Sequence, residues 1–231
     1  MGRILLVRHG QASLMGDDYD ALSEVGHAQG RLLGEWLSAR GERFAHVVMG
    51  SLKRHAQTAE ACLAALGEAA AAPHIDAGLD EYRHEDMVAR YAPEFADRAA
   101  MKAWLARSEN PRKAFQQVFA AAFDRWVSGA HDEDYPIAWS AFRARSVAAL
   151  EQVAAACGSG ESALVFTSGG PIAGIVQHVL GMPDDRVAGL HFPLFNGGLT
   201  QLLTRPGSVG LSYFNAIGYL EEAGRDYVTY R

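Results

Sequence analysis

Cysteine is scarce in this 231-residue chain, with only Cys62 and Cys157 present. They permit at most one disulfide, and neither belongs to a CxxC pair or stands beside metal-spaced histidines. Both fall on the apolar side of helical patterns, which predicts buried free thiols and a reducing compartment, the cytoplasm. Long hydrophobic runs are missing as well. The apolar run 4–7 has four residues before Arg8, too few for a secretory leader. The myristoylation pattern fails at Leu6, and no stretch approaches the ~20 apolar residues of a membrane span. Basic charge is not in excess. With 21 Lys and Arg against 27 Asp and Glu the net charge is −6, so neither nucleic acid nor a membrane surface is an expected partner. Any anion site must be a local cluster of Arg or His. Internal repeats, low-complexity segments and metal-ligand spacings are also absent, and the glycines fit neither the P-loop nor the dinucleotide fingerprint. Asp17-Asp18 and 132–134 read as solvated loops. No metal and no cofactor are expected.

What is present is an ordinary globular composition, 49% hydrophobic and 21% charged. The length suits one domain spanning 1–231 with an insertion better than two domains. Short apolar runs alternate with amphipathic helical patterns, which predicts an α/β fold. Residues 3–8 read as a buried strand. Ser23 is a candidate N-cap for a helix through Leu37, and 45–49 is a second strand. A helix from about Lys53 sets Ala56, Ala59, Cys62, Leu63 and Leu66 on one face and ends at Gly67. Between about 82 and 137 strand signals vanish. Polar helices carrying Trp104, Phe115, Phe119, Phe123 and Trp126 are broken at 83–86, 91–93 and 110–113, the pattern of a helical insertion or lid. A long helix follows over 139–157, then a strand at 163–167, a helix from Pro171 to Gly181, and two strands at 199–204 and 211–215.

Three strand ends carry anion-binding groups. The first closes in Arg8-His9-Gly10, where open α/β sheets place their ligand crevice. The second opens its helix with Lys53-Arg54. The third runs Ser168-Gly169-Gly170-Pro171, with glycines that let backbone approach a ligand and a hydroxyl beside free N–H groups. Each has a bland reading, as polar strand ends or a surface cation pair, but three at one sheet edge are harder to dismiss.

In order along the chain, Arg8-His9-Gly10, Leu22-Ser23…Gly26…Gln29, Leu52-Lys53-Arg54…Gln57-Thr58-Ala59, Leu79-Asp80-Glu81, Arg145 and Ser168-Gly169-Gly170 resemble the histidine phosphatase superfamily, the phosphoglycerate-mutase-like proteins. The match covers roughly 1–81 and 139–220. The resemblance implies a three-layer α/β/α fold with a mostly parallel sheet, helices on both faces and the helical insertion after the acid-bearing loop. It implies that His9 attacks phosphorus, that Arg8, Arg54, Ser168 and Gly169 hold the phosphate, and that Glu81 is the acid. Two guanidiniums neutralise a phosphomonoester dianion and keep the imidazole neutral and nucleophilic. The partner implied is a small phosphorylated substrate or inorganic phosphate.

The sequence departs from the family pattern at Ser168, where the motif has a second histidine. His191 and His84 are candidate substitutes for that imidazole. His27, His46, His55, His74, His131 and His178 have no site context and receive no role. The mutase asparagine is not found at 13–16, nor is the mutase insertion recognisable after Tyr82, which favours a phosphatase of unknown substrate. Arg83, Arg112 and Arg143 read better as solvated charge than as contacts to a second anionic group. The principal alternatives are a non-catalytic phosphate-binding member and a phosphoglycerate-mutase-type transferase. A third is a serine hydrolase using Ser168, Asp184 or Asp185, and His191, although Phe166 opposes a nucleophile elbow. The apolar stretch 192–195 is read as either a homodimer contact or a pocket wall.

Overall fold

The computed structural model describes residues 1–13 and 20–230. Of the stretch compared with the mutase asparagine only Ser13 is described, and Asp17 and Asp18 lie outside the described residues. The chain runs β1 (Gly2–Arg8), α1 (Glu24–Ala39), β2 (His46–Met49), α2 (Lys53–Leu66), β3 (Pro73–Ile75), α3 (His84–Tyr91), α4 (Arg98–Ala106) and α5 (Pro111–Val127). It continues as α6 (Trp139–Ala156), β4 (Ser162–Thr167), α7 (Gly169–Leu180), α8 (Val187–His191), β5 (Leu199–Arg205), β6 (Ser208–Ala216) and α9 (Gly218–Ala223).

The strands form one sheet in the order β3-β2-β4-β1-β5-β6. The pairs β3–β2, β2–β4 and β4–β1 are parallel, whereas β5 and β6 join antiparallel. This is the mostly parallel α/β sheet expected. Alternation along β1 divides its side chains between two cores. Leu5 and Val7 pack with Leu33, Leu37, Cys62 and Leu66 of α1 and α2. Ile4 and Leu6 pack with Leu150 and Val153 of α6 and Ile172 and Ile175 of α7. A strand covered on both faces is apolar throughout, which is why 3–8 shows no polar alternation.

Local signals set most boundaries. The Ser23 side chain accepts from the Gly26 amide at 3.1 Å and caps α1, and Gly67 closes α2 at φ 72°. Asn110 caps α5 with Pro111 as its first residue. Several boundaries differ from expectation; β6 begins at Ser208 rather than 211, and Pro111, Arg112 and Lys113 open α5 rather than break a helix. Residues 84–86 are the first turn of α3 rather than a break, since Glu85 and Asp86 suit a helix N-terminus. Helix α7 begins at Gly169, so Pro171 is its third residue, where an N–H has no intrahelical acceptor to lose. The short edge strand β3 was not expected; its three residues are all exposed and show no alternation to read.

After Glu81, helices α3 and α5 bury Met87, Val88, Phe119, Phe123 and Trp126 against Tyr82, Trp139 and Phe142. Of the stretch 192–195, Leu194 is buried and Phe192 lies against Phe119 and Phe123, while Pro193 is exposed. Cys62 and Cys157 are buried free thiols, and burial pushes the Cys62 thiol up to about 12. Among the described residues no helix is long and apolar enough to cross a membrane.

Helices α1 and α2 approach closely. A Cβ on Gly34 would stand 2.1 Å from the Cys62 carbonyl oxygen and 2.8 Å from the Ala65 methyl. Backbone cannot yield as a flexible side chain does, so Gly34→Ala is expected to lower stability by about 1–3 kcal/mol. Urea unfolding should show a lower midpoint at unchanged slope.

Candidate active site

Strand pairing brings the three anion-binding ends level. The His9 amide donates to the Thr167 carbonyl at 2.9 Å, and the Gly50 amide to the Phe166 carbonyl at 3.0 Å. Residues following β1, β2 and β4 therefore meet at one sheet edge.

His9 is buried, with its Nδ1 2.7 Å from the Gly10 carbonyl oxygen. A carbonyl only accepts, so Nδ1 carries the hydrogen and Nε2 keeps a lone pair. The Gly10 amide donates to Thr58 Oγ1 at 3.0 Å, and that hydroxyl donates to the Arg54 carbonyl at 2.7 Å. Gly10 can lie here because it lacks a side chain: a Cβ would stand 2.4 Å from the Gly26 oxygen. Burial, then the Arg54 and Arg8 cations, hold the His9 pKa well below the ordinary imidazole value. At neutral pH the ring is uncharged.

Arg8 is buried and donates to the Leu194 carbonyl. Arg54 projects from the first turn of α2 and donates to Asp20 Oδ1 at 2.6 Å. The other Asp20 oxygen accepts from the Lys53 amide at 2.8 Å. Arg54 Nε is buried and has no hydrogen-bond partner among the described residues.

Glu81 accepts from the Gly170 amide at 3.1 Å and the Tyr82 amide at 3.2 Å. Burial raises its pKa above the usual carboxylate value despite these donors and the two arginines. Its loop is pinned from several sides. Arg145 donates to the Asp80 carbonyl at 2.6 Å, and Thr167 Oγ1 donates to the Leu79 carbonyl at 2.6 Å. The Ser51 amide and hydroxyl donate to the Asp80 carboxylate at 2.6 and 2.5 Å.

Arg8, His9, Arg54, Glu81, His84 and His191 line one cavity of about 270 Å³, with Phe115 and Phe119 as an aromatic wall. His191 lies 2.9 Å from the Tyr82 hydroxyl through Nε2 and stacks on Phe123 at 4.9 Å. It packs close to Gly169, where a Cβ would stand 3.2 Å from its ring. His84 opens α3, its ring centroid 6.5 Å from that of Phe119. Ser168 has no exposed surface and lies behind the cavity.

The imidazole nearest Ser168 is one to which the sequence assigned no role. His55 places Nε2 2.7 Å from Ser168 Oγ, and its ring centroid is 5.9 Å from that of His9. Its Nδ1 stands 3.8 Å from Asp80 Oδ1. Burial, then Arg54, lowers its pKa to about 3, against the opposing pull of the Gly50 carbonyl. A signal was available: the buried residues of α2 are His55, Thr58, Ala59, Cys62 and Leu66, so His55 heads the core-facing stripe one residue after Arg54.

The serine-hydrolase trio is not assembled. Ser168 Oγ bonds to His55 and His191 to Tyr82, while the Asp184 carboxylate accepts from Trp139, Arg143 and Gln177. The same bond ties Arg143 away from the cavity. Among the described residues no group of three or more His, Cys, Asp or Glu could hold a metal ion.

Solved structures share this fold. Phosphoserine phosphatase from Entamoeba histolytica superposes with a TM-score of 0.66 at 17% identity, covering 95% of this chain and 100% of that one. Phosphoglycerate mutase from Bacillus anthracis gives 0.67 at 16%, covering 94% of each chain. A mycobacterial glucosyl-3-phosphoglycerate phosphatase gives 0.63 at 20%, covering 94% of this chain and 100% of that one. No curated protein matches the sequence closely enough to serve as a relative. The family description that matches, over residues 4–217, is that of the histidine phosphatase superfamily, branch 1. The chain belongs to that superfamily.

Proposed function

We propose that this protein is a phosphatase that hydrolyses a small phosphomonoester through a phosphohistidine on His9. The observation that carries the reading is the state of the His9 ring: uncharged, fixed by its Nδ1–H on the Gly10 carbonyl, and buried beside Arg8 and Arg54. A neutral imidazole next to two cations is a nucleophile aimed at an anion. In the first step Nε2 attacks phosphorus while the ester P–O bond breaks, and the leaving oxygen takes the Glu81 proton. In the second, water attacks the phosphohistidine, Glu81 takes a proton from that water, and the P–N bond breaks to release phosphate. Two displacements replace one difficult one, and Glu81 serves as acid and then base. The guanidiniums spread the phosphoryl charge, so the mechanism calls on no metal ion and no cofactor.

A hydrolase is favoured over a binding module by Glu81. A carboxyl kept in the cavity with its protonated form stabilised by burial is what an ester leaving group needs, whereas a site that only held a phosphate dianion would be better served there by another cation.

The first test is phosphate release from an aryl phosphate without added metal. His9→Ala should abolish release and prevent any acid-labile phosphoenzyme while leaving the far-ultraviolet spectrum unchanged. An unaltered rate in that variant ends the reading.

The pH dependence tests the acid. His9 must be neutral, and its lowered pKa puts loss of activity on the acid side below the ordinary imidazole range. Glu81 must be protonated in the first step, and its raised pKa places the alkaline limb above the ordinary carboxylate range. Glu81→Gln should therefore flatten the alkaline limb of kcat/KM and lower kcat by roughly 10²–10⁴-fold for an alkyl phosphate. The loss should be smaller for an aryl phosphate, whose leaving group needs less protonation.

A further inference from the structure

Resting on the phosphatase reading of the cavity, we infer that the substrate is the phosphate ester of a compact, uncharged aromatic alcohol, and that esters carrying a second anionic group are selected against. In that reading the strand ends meet only the phosphoryl group. One ester is told from another by the surface that receives the rest of the molecule, and in this chain that surface is aromatic and short of cations.

Phe115 and Phe119 stand one helical turn apart on α5, so both rings project from the same helix face into the cavity. Their centroids are 5.9 Å apart at an interplanar angle of 37°, and the His84 ring at the start of α3 lies 6.5 Å from that of Phe119. Phe119 is braced by Phe192, edge-on at 6.1 Å. Phe115 is half-buried and lines the cavity, so apolar ring surface stays in contact with water until a ligand covers it. A flat apolar group set among these rings gains that burial together with the offset and edge contacts that ring pairs favour. The volume of about 270 Å³ lies just under the ~300–1,000 Å³ of ordinary ligand pockets. It suits a phosphate with one ring or a fused pair better than an extended chain.

The charges argue in the same direction. Recognition of a substrate carboxylate or a second phosphate calls for a guanidinium or ammonium facing it. Among the described residues three arginines line the cavity, Arg8, Arg54 and Arg83. Arg8 and Arg54 stand beside His9 and serve the phosphoryl group. Arg83 is 78% exposed, with its Nε 3.4 Å from Asp86 Oδ2, so its charge is solvated and shared with a neighbouring carboxylate. Glu85 lines the same cavity and stands 3.4 Å from His84 Nδ1. A second anion on the substrate would face this carboxylate, and a positive charge on His84 already has it as a partner. Arg143 is tied to Asp184, and Arg112 is exposed at the start of α5. The Tyr82 hydroxyl, a group suited to a polyol, is engaged with His191 at 2.9 Å.

Two series on the full chain test this. The first reads binding without turnover, by calorimetry with phosphonates, which have no ester bond to break: methylphosphonate, phosphonoacetate and benzylphosphonate. Benzylphosphonate should bind roughly tenfold tighter than methylphosphonate, the scale of one buried ring with a ring partner, and phosphonoacetate should bind no tighter than methylphosphonate. In Phe115→Ala the benzyl-to-methyl ratio should fall toward one. Phe119→Leu, which keeps the contact with Phe192 apolar, should lower the ratio as well. The second series compares kcat/KM for benzyl phosphate, phosphoserine and 3-phosphoglycerate. All three are alkyl esters, so the acidity of the leaving alcohol does not imitate selectivity, and benzyl phosphate should lead by roughly tenfold.

Phosphonoacetate binding as tightly as benzylphosphonate would overturn the inference, as would a benzyl-to-methyl ratio that survives in both phenylalanine variants. His9-dependent hydrolysis of phosphoserine or 3-phosphoglycerate at rates equal to or above that of benzyl phosphate would overturn it while leaving the phosphatase reading intact. Selective binding of benzylphosphonate with no ester hydrolysed would defeat the hydrolase reading and leave the ligand class standing. Binding of none of the three phosphonates would overturn both.

Discussion

The register of three parallel strands is the constraint on which the rest of the molecule depends. Arg8 pairs with Thr167 across β1 and β4, and Met49 pairs with Phe166 across β2 and β4. The ladder continues one residue past the strands, through the His9 amide on Thr167 and the Gly50 amide on Phe166. A slip of one residue would turn each side chain to the opposite face. Arg8 and His9 would exchange faces, and the Ile4–Leu6 and Leu5–Val7 sets would exchange cores. The apolar packing on both sheet faces therefore holds the site in register, and the chemistry uses a geometry that core burial has already fixed.

That geometry gathers charges the interior would not otherwise tolerate. Arg8 and Arg54 are both largely buried, and a buried cation must be paired or bonded. Here the partners are distributed: the Leu194 carbonyl takes Arg8, and Asp20 takes Arg54 while also accepting from the Lys53 amide. Burial first and the cations second push both imidazoles toward the neutral form, and burial raises the Glu81 pKa against the lowering pull of the same cations. Desolvation is the shared cause: it disfavours charge on His9, His55 and Glu81 alike, while the arginines add to it at the His9 ring, Arg54 at the His55 ring, and both oppose it at the carboxyl. Residue identity alone does not say which way each group shifts; burial decides it.

Much of this was legible in the sequence, for a physical reason. Strands buried on both faces write themselves as unbroken apolar runs, and the polar residues that end them stand out, so Arg8, His9, Arg54 and Ser168 could be placed at one edge before any contact was known. Glu81 was legible only through the family motif, because an acid in a loop leaves no periodic trace. His55 was misread because a histidine among polar neighbours looks like surface; only its place at the head of the buried stripe His55, Thr58, Ala59, Cys62 marks it as interior. The strand β3 was lost because an exposed three-residue edge carries no alternation, and the first turn of α3 because acidic residues at a helix start resemble a loop.

The helices after Glu81 add what the sheet edge cannot. Under the proposed function the strand ends grip phosphate, which every phosphomonoester shares, so discrimination must come from the group beyond the ester oxygen. In this chain that side is walled by Phe115 and Phe119 of α5, and the wall is braced rather than loose. Phe119 packs on Phe192, Phe123 stacks on His191, and Tyr82 sits within the same ring cluster one residue after the acid. His191 accordingly couples the two halves of the cavity: one edge approaches the Gly169 backbone beneath the phosphate grip, and its face lies on the aromatic helix. A ring locked between a hydroxyl and a stacked phenyl has little freedom to swing. The distance between the strand ends and the aromatic wall is therefore set by packed side chains, and for the proposed substrate the size of the leaving group is set with it.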